Sequence, residues 1–201
     1  SSFYMRNLRA VYNRAVEKGL TSQRFPFKYV YTGVDKTVKR AVPLKVIKRI
    51  KEMDFSMNPT FDFARDMFLM SFYTRGMSFV DMAYLRKKDL QNGVLSYRRR
   101  KTGQQLFIKW EKCMQEIVDK YDNPLSEHLL PIIKLMNGDE RTQYQNAMYL
   151  INRKLKEIGK MVGARLPLTM DVARHSWTSV AKNKNVPISV ISEGMGHDSE
   201  R

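Results

Sequence analysis

Three groups of residues in this sequence have the types and spacing to act on a phosphodiester. Arg98, Arg99, Arg100 and Lys101 run directly into Thr102-Gly103. A lysine at such a hairpin tip can enter a groove and give a proton to a leaving oxygen. Asp171-Val172-Ala173-Arg174-His175-Ser176-Trp177 stands at a predicted helix start, where Arg174 offers a planar fork of donors to nonbridging phosphate oxygens. Gly196-His197 follows a short predicted helix, and a glycine there lets the backbone come close to a ligand. The sequence carries no phosphate-cradling glycine loop, zinc motif or Ser-His-Asp elbow. Its single cysteine, Cys113, rules out an internal disulfide and a cysteine zinc site. His128, His175 and His197 are too dispersed for a local metal motif.

Elements of regular periodicity must hold these groups. Residues 3–18 place Tyr4, Leu8, Val11, Tyr12, Ala15 and Val16 on one helical face, with Gly19 as the cap. A lone helix cannot bury its own stripe, so residues 1–20 read as the last helix of a separate, truncated upstream domain, and 21–42 as a linker. The main domain is expected over 43–201. Its predicted helices are one from Pro43, then 60–74, 78–88, 111–121, 124–137, 143–162, one from a Thr169 cap to Lys182, and one from Pro187 to Gly194. After a turn at Gln91-Asn92-Gly93, VLSYRRRKTGQQLFI reads as a β-hairpin turning at Thr102-Gly103. The fold class is mainly α with a small antiparallel β-sheet.

The 201 residues carry 36 Lys plus Arg against 20 Asp plus Glu, a formal charge of +16. With 43% hydrophobic residues the chain can form a packed core, so the charge points to a polyanionic partner rather than to disorder. Lys36, Lys39, Arg40, Lys45, Lys48, Arg49 and Lys51 form a run without an acid, suited to tracking phosphates. Arg98 and Arg100 are further candidates for DNA contact. No stretch is long and apolar enough for a membrane span. The aromatic strand pattern and G-x-x-G clamp of common RNA-binding modules are missing.

The order of these groups resembles the catalytic domain of the tyrosine recombinases, the phage-integrase family. FYTRGMSFVDMAYLRKKDL, YRRRKTGQQLFI, VARHSWTS and ISEGMGH resemble especially the branch carried by conjugative transposons of gut anaerobes. The resemblance spans the whole chain and rests on order and spacing more than on any one motif. It implies a site-specific recombinase that cleaves and rejoins DNA through a 3′-phosphotyrosyl link, for integration and excision of a mobile element. It implies no metal, ATP or other cofactor. The implied partners are double-stranded attachment sites, a tetramer on DNA and accessory DNA-bending or excision factors. The implied place of action is the bacterial cytoplasm, at the nucleoid. Lys101 matches the hairpin lysine, Arg174 the second catalytic arginine and His197 the late His or Trp.

Three departures accompany the resemblance. The pattern T-G-[LM]-R-x-x-E places Ser78 where the first catalytic arginine belongs, and serine supplies no charge. Arg75 and Arg99 are the two candidates to replace it, with Arg65 a distant third. Asp171 stands at the position of the family's histidine; it is expected to be structural and to pair with Arg174, the rival role being proton acceptor for the tyrosine. His175 is expected to be a buried, hydrogen-bonded helix residue. The resemblance sets the nucleophilic tyrosine a short way after the Gly196-His197 pair, beyond Arg201; Tyr121, Tyr144 and Tyr149 fall on apolar faces and read as core. The chain as given is therefore expected to be monomeric and to bind DNA without cutting it.

Overall fold

A computed structural model describes residues 2–33, 40–135 and 138–196. The chain divides into two compact units, Ser1–Lys39 and Arg40–Arg201. The first holds helix α1 (Ser2–Glu17). Gly19, at φ +70°, ends it as a left-handed cap, with the Gly19 and Leu20 amides donating to the carbonyls of Val16 and Ala15. Residues 20–33 double back on α1. The Tyr12 hydroxyl donates to the Ser22 carbonyl and accepts from the Arg24 amide, and Arg9 donates to Thr32 Oγ1 over 2.7 Å.

The second unit contains α2 (Leu44–Glu52), α3 (Pro59–Tyr73), α4 (Phe79–Ala83), strands β1 (Leu90–Gln91), β2 (Val94–Arg98) and β3 (Gln105–Lys109), then α5 (Lys112–Lys120), α6 (Glu140–Met161), α7 (Met170–Asn183) and α8 (Ile188–Gly194). Helix α3 is the centre. Asn58 caps it by accepting from the Phe61 amide, and Pro59 is fixed in the helical first turn. Ala64, Met67, Phe68 and Met70 are fully buried, and α2, α5, α6 and α7 all pack on α3. A helix apolar on most sides belongs at such a position. Helix α2 is the contrary case: Val46, Ile47 and Ile50 are buried while Lys45, Lys48 and Arg49 face outward.

The sheet is antiparallel in the order β1-β2-β3. Leu95 and Tyr97 on β2 face inward beside Ile108 and Leu106 on β3, their register partners. Asn92 and Gly93, both at positive φ, join β1 to β2 as a two-residue hairpin turn, so the sheet has a third strand beyond the expected hairpin.

Other expectations are corrected. Residues 124–135 are not helical. Pro131 removes a helix donor there, and the Leu129 amide and Glu127 carbonyl bond instead to Leu85 and Lys87, forming an Arg86–His128 bridge. The same bridge holds Arg86 extended, so the expected helix over 78–88 ends at Ala83, and only a 3-10 turn follows at Lys87–Asp89. Thr169 sits at the start of α7 without a side-chain capping bond, and Asn152 Oδ1 accepts from the Met170 amide at 2.9 Å. Tyr149 is exposed rather than packed. No helix among the described residues is long and apolar enough to cross a membrane.

Candidate functional site

The end of α3 sets the first wall. Thr74 closes the helix, then Arg75 (φ +59°) and Gly76 (φ +74°) both turn left-handed. Gly76 bonds back to the Ser71 carbonyl at 2.8 Å, and Ser71 Oγ donates to the Met77 carbonyl at 2.8 Å. Ser78 then starts α4 as its N-cap, accepting from the Asp81 amide. Its hydroxyl also donates to Asp81 Oδ2 over 2.6 Å. The position that the resemblance gives to an arginine is thus occupied by a capping pair.

Arg174 stands on the second turn of α7, partly buried. Nη1 donates to the Gly76 carbonyl at 2.6 Å and Nη2 to the Met195 carbonyl at 3.1 Å. Burial and the neighbouring Arg99 charge pull its guanidinium below the ordinary value, against the pull of Tyr97, Asp81 and Asp171.

The loop between β2 and β3 is the second wall. Arg99 N and Gln104 O close it at 2.8 Å, and the Gly103 amide bonds to the Arg99 carbonyl. Strand β2 ends at Arg98, so Arg99 and Lys101 lie in this loop. Arg99 is buried and donates from Nη1 to the Gly196 carbonyl. Its Nε and Gln104 Oε1 are buried without a hydrogen-bond partner among the described residues. Lys101 is exposed at the loop tip. The buried carboxylate of Asp81 ties the loop to α4: Oδ1 accepts from the Arg100 amide at 2.9 Å. The Arg100 guanidinium lies 3.7 Å from the Tyr84 ring centre, in cation–π range.

The turn after α8 is the third wall. Gly196, at φ +68°, leaves no space for a side chain: a Cβ there would meet Arg99 Cδ at 2.9 Å. A Cβ at Gly194 would meet Arg75 Cδ at 3.7 Å and the Trp177 ring at 3.8 Å, so Arg75 lines this same turn. Tyr97 reports the convergence. Burial and the Asp81 carboxylate push its phenol well above the ordinary range, while Arg174, Arg99 and Arg75 all pull it down. Arg174 and Arg99 thus meet at the Gly76, Met195 and Gly196 carbonyls, with Arg75 beside Gly194.

The remaining candidates are placed elsewhere. Asp171 meets His175 Nε2 at 3.2 Å and lies 4.0 Å from Arg40, and these contacts stand in place of the expected pairing with Arg174. His175 is half-exposed rather than buried, because its helix turns that position away from α3. Arg65 is enclosed by Asp62, Asp66 and the Met53 carbonyl. Lys45, Lys48 and Arg98 are exposed. His197, Lys36 and Lys39 lie outside the described residues. No grouping of His, Cys, Asp and Glu suited to a metal occurs among the described residues.

Sequence reading missed Asp81 and Tyr97 as parts of the site. Ser78-Phe79-Val80-Asp81 fits an N-terminal capping signature, which marks Asp81 as fixed by its own helix start. Nothing local marks Tyr97, whose neighbours come from distant segments.

This arrangement of helices packed on α3, with a small three-stranded antiparallel sheet, is the tyrosine-recombinase catalytic-domain fold. The likeness is to a λ integrase dimer bound to a COC′ core site (TM-score 0.67, 17% identity, 98% of this chain and 71% of that one). It extends to the XerA recombinase (TM-score 0.59, 18% identity, 98% and 73%). It extends also to the Tn1549 transposon integrase in complex with transposon right-end DNA (TM-score 0.63, 16% identity, 97% and 70%). The chain spans 55% of the length of a longer λ integrase chain that it also matches. No protein-family model and no curated protein matches this sequence.

Proposed function

We propose that this chain is the phosphate-handling part of a site-specific DNA recombinase of the tyrosine type, serving integration and excision of a mobile element. The observation that carries the reading is that Arg174 and Arg99 meet at the Gly76, Met195 and Gly196 carbonyls, with Arg75 beside Gly194, in a fold shared with DNA-bound integrases. Arg174 and Arg99 stabilise the charge on the nonbridging oxygens as the phosphorus becomes five-coordinate. Arg99 takes the place left by Ser78: it is buried, held by the Gly196 carbonyl, and retains an Nε–H with no partner among the described residues. Arg75 flanks it from the α3 end.

The nucleophilic phenol is the one that the resemblance sets a short way beyond Gly196-His197. Its oxygen forms the bond to phosphorus and its proton passes to a base. The bond to the 5′ oxygen breaks, and that oxygen takes a proton from Lys101. The phosphotyrosyl ester keeps the bond energy for rejoining, so the scheme draws on no cofactor. Tyr97 and Tyr121 are unsuited to the role, since Tyr97 is buried and the Tyr121 hydroxyl is engaged by Asp66. Arg40, Lys45, Lys48 and Arg98 carry the duplex by its backbone. On paired duplexes the protein works as a tetramer.

The test is covalent trapping of the intact gene product on a nicked attachment-site duplex. Arg174→Ala and Lys101→Ala are each expected to lower adduct formation by about 100-fold or more while the protein stays folded. Full adduct yield from both variants overturns the assignment. A second reading, a DNA-binding regulator without strand cleavage, is favoured by the capping role of Ser78. Tight binding of the genuine site without any adduct selects it.

A further inference from the structure

The Gly196 carbonyl receives two donors from the β2–β3 loop: Arg99 Nη1, and Thr102 Oγ1 at 3.3 Å. Lys101 stands between them in sequence. The residue on its other side, Arg100, is held through its amide by buried Asp81 at 2.9 Å. Both neighbours of Lys101 are therefore anchored, one to α4 and one to the turn after α8, while the lysine is exposed. Loop tips of this length are ordinarily among the most mobile parts of a sheet, and a lysine on a loose tip spends little time where a leaving oxygen needs it.

We infer that Thr102 is a positioning residue: its hydroxyl latches the lysine loop to the Gly196 turn and fixes the main chain from which Lys101 reaches the DNA. The inference rests on the proposed role of Lys101. The latch also joins two segments of the candidate site, because the carbonyl that holds Thr102 also holds Arg99. Arg99 keeps its own bond to that carbonyl, so release of Thr102 frees the lysine loop and leaves the guanidinium held. Thr102 itself contributes nothing to the proton transfer.

Thr102→Val keeps the shape and removes the donor, whereas Thr102→Ser keeps the donor. In the chain as it stands, hydrogen exchange of the 99–104 amides is expected to quicken about fivefold in Thr102→Val, in line with loss of one ordinary hydrogen bond. Thr102→Ser is expected to exchange like the parent. Equal exchange in Thr102→Val and the parent, with equal melting temperatures, overturns the latch.

In the intact gene product, Thr102→Val is expected to slow adduct formation about fivefold or more with unchanged DNA affinity, and Thr102→Ser to restore it. In a Lys101→Ala background Thr102→Val should add no further loss. Additive losses, or a loss confined to DNA affinity, would show that Thr102 does not act through the lysine. If the parent forms no adduct at all, the recombinase reading fails, while the exchange measurement still decides the latch.

Discussion

Gly76 and Arg174, 98 residues apart, meet closely enough that neither tolerates much change in the other. The Gly76 carbonyl accepts from Arg174 Nη1 at 2.6 Å, and a Cβ on Gly76 would sit 2.9 Å from Arg174 Cα. The glycine is needed for space and also for its φ of +74°. Its contact is with main chain, which cannot swing away.

Gly76→Ala is therefore expected to destabilise the chain by about 2 kcal/mol or more, from left-handed strain and overpacking together. Urea unfolding gives the number. The same variant should lose DNA affinity even where it is folded, because relief of the clash moves Arg174. A variant as stable and as tight-binding as the parent would contradict this geometry.

Ser78→Ala removes a helix cap and one of the two anchors of the Asp81 carboxylate. The expected loss is about 1 kcal/mol, that of an ordinary N-cap. Asp81→Ala should cost more, since it also strands the Arg100 amide at the loop base. Thermal or urea midpoints order the pair. Ser78→Ala with no loss would mean that the Ser78–Asp81 contact is dispensable.

Much of the site was legible because its residues are punctuated by unusual backbone. Gly103 and Gly196 mark turns that sequence can find, with Lys101 beside the first, while Arg174 stands out by its place near the start of a predicted helix. Helix α6 was legible because Ile151, Leu155 and Ile158 repeat on one face over many turns. What failed was set by partners far along the chain. The apolar run at 129–133 suits a helix locally, yet the Leu129 amide and the Glu127 carbonyl just before the run are used by Leu85 and Lys87. His175 has helix-compatible neighbours on both sides, and only the packing of α7 on α3 decides that it faces out. Asp171 was paired with Arg174 on spacing alone. The structure instead gives Arg174 to the carbonyls of Gly76 and Met195.

A buried ionic cluster joins α3 to α5. Asp66 accepts from Arg65 Nε at 2.8 Å, Lys120 Nζ at 2.8 Å and the Tyr121 hydroxyl at 2.8 Å. Asp62 meets Arg65 at 2.5 Å and also contacts Lys120. Asp66→Ala leaves Arg65 and Lys120 sharing the Asp62 carboxylate and is expected to cost about 2 kcal/mol, below the range for breaking a fully buried pair because Lys120 is partly exposed. Asp66→Asn should fall between Ala and the parent. Chemical unfolding tests the order, and a neutral Asp66→Ala would show that solvent reaches the cluster freely.

Tyr73 makes stability fall at alkaline pH. Burial is the first cause that pushes its phenol up to about 12, helped by the charges of Cys113, Asp66 and Glu116. The unfolded chain releases this proton near pH 10, and the folded chain holds it to about pH 12. The stabilisation is present in full below pH 10 and is lost as pH rises through that window. Tyr73→Phe is expected to flatten the decline between pH 10 and 12. An unchanged slope in urea midpoints across that window would remove Tyr73 as its source.

The exposed face of α2 offers the cleanest test of how the duplex is held. Val46, Ile47 and Ile50 fix one side of the helix in the core, so Lys45 and Lys48 cannot turn inward when DNA is absent. Each lysine that meets a phosphate releases condensed counterions, and the logarithm of the binding constant falls by about 0.9 per contact for each decade of salt. Lys45→Gln with Lys48→Gln is expected to make the salt slope shallower by up to about 1.8, and to do so equally on attachment-site and unrelated duplexes. Arg174→Ala should behave otherwise. Its guanidinium is partly buried beside the Gly76 and Met195 carbonyls, so it meets one phosphate at most. Anisotropy titrations at several salt concentrations separate the two. A double-lysine variant with the parent slope would place α2 away from the DNA, and a sequence-dependent change would mean that its lysines reach bases rather than phosphates.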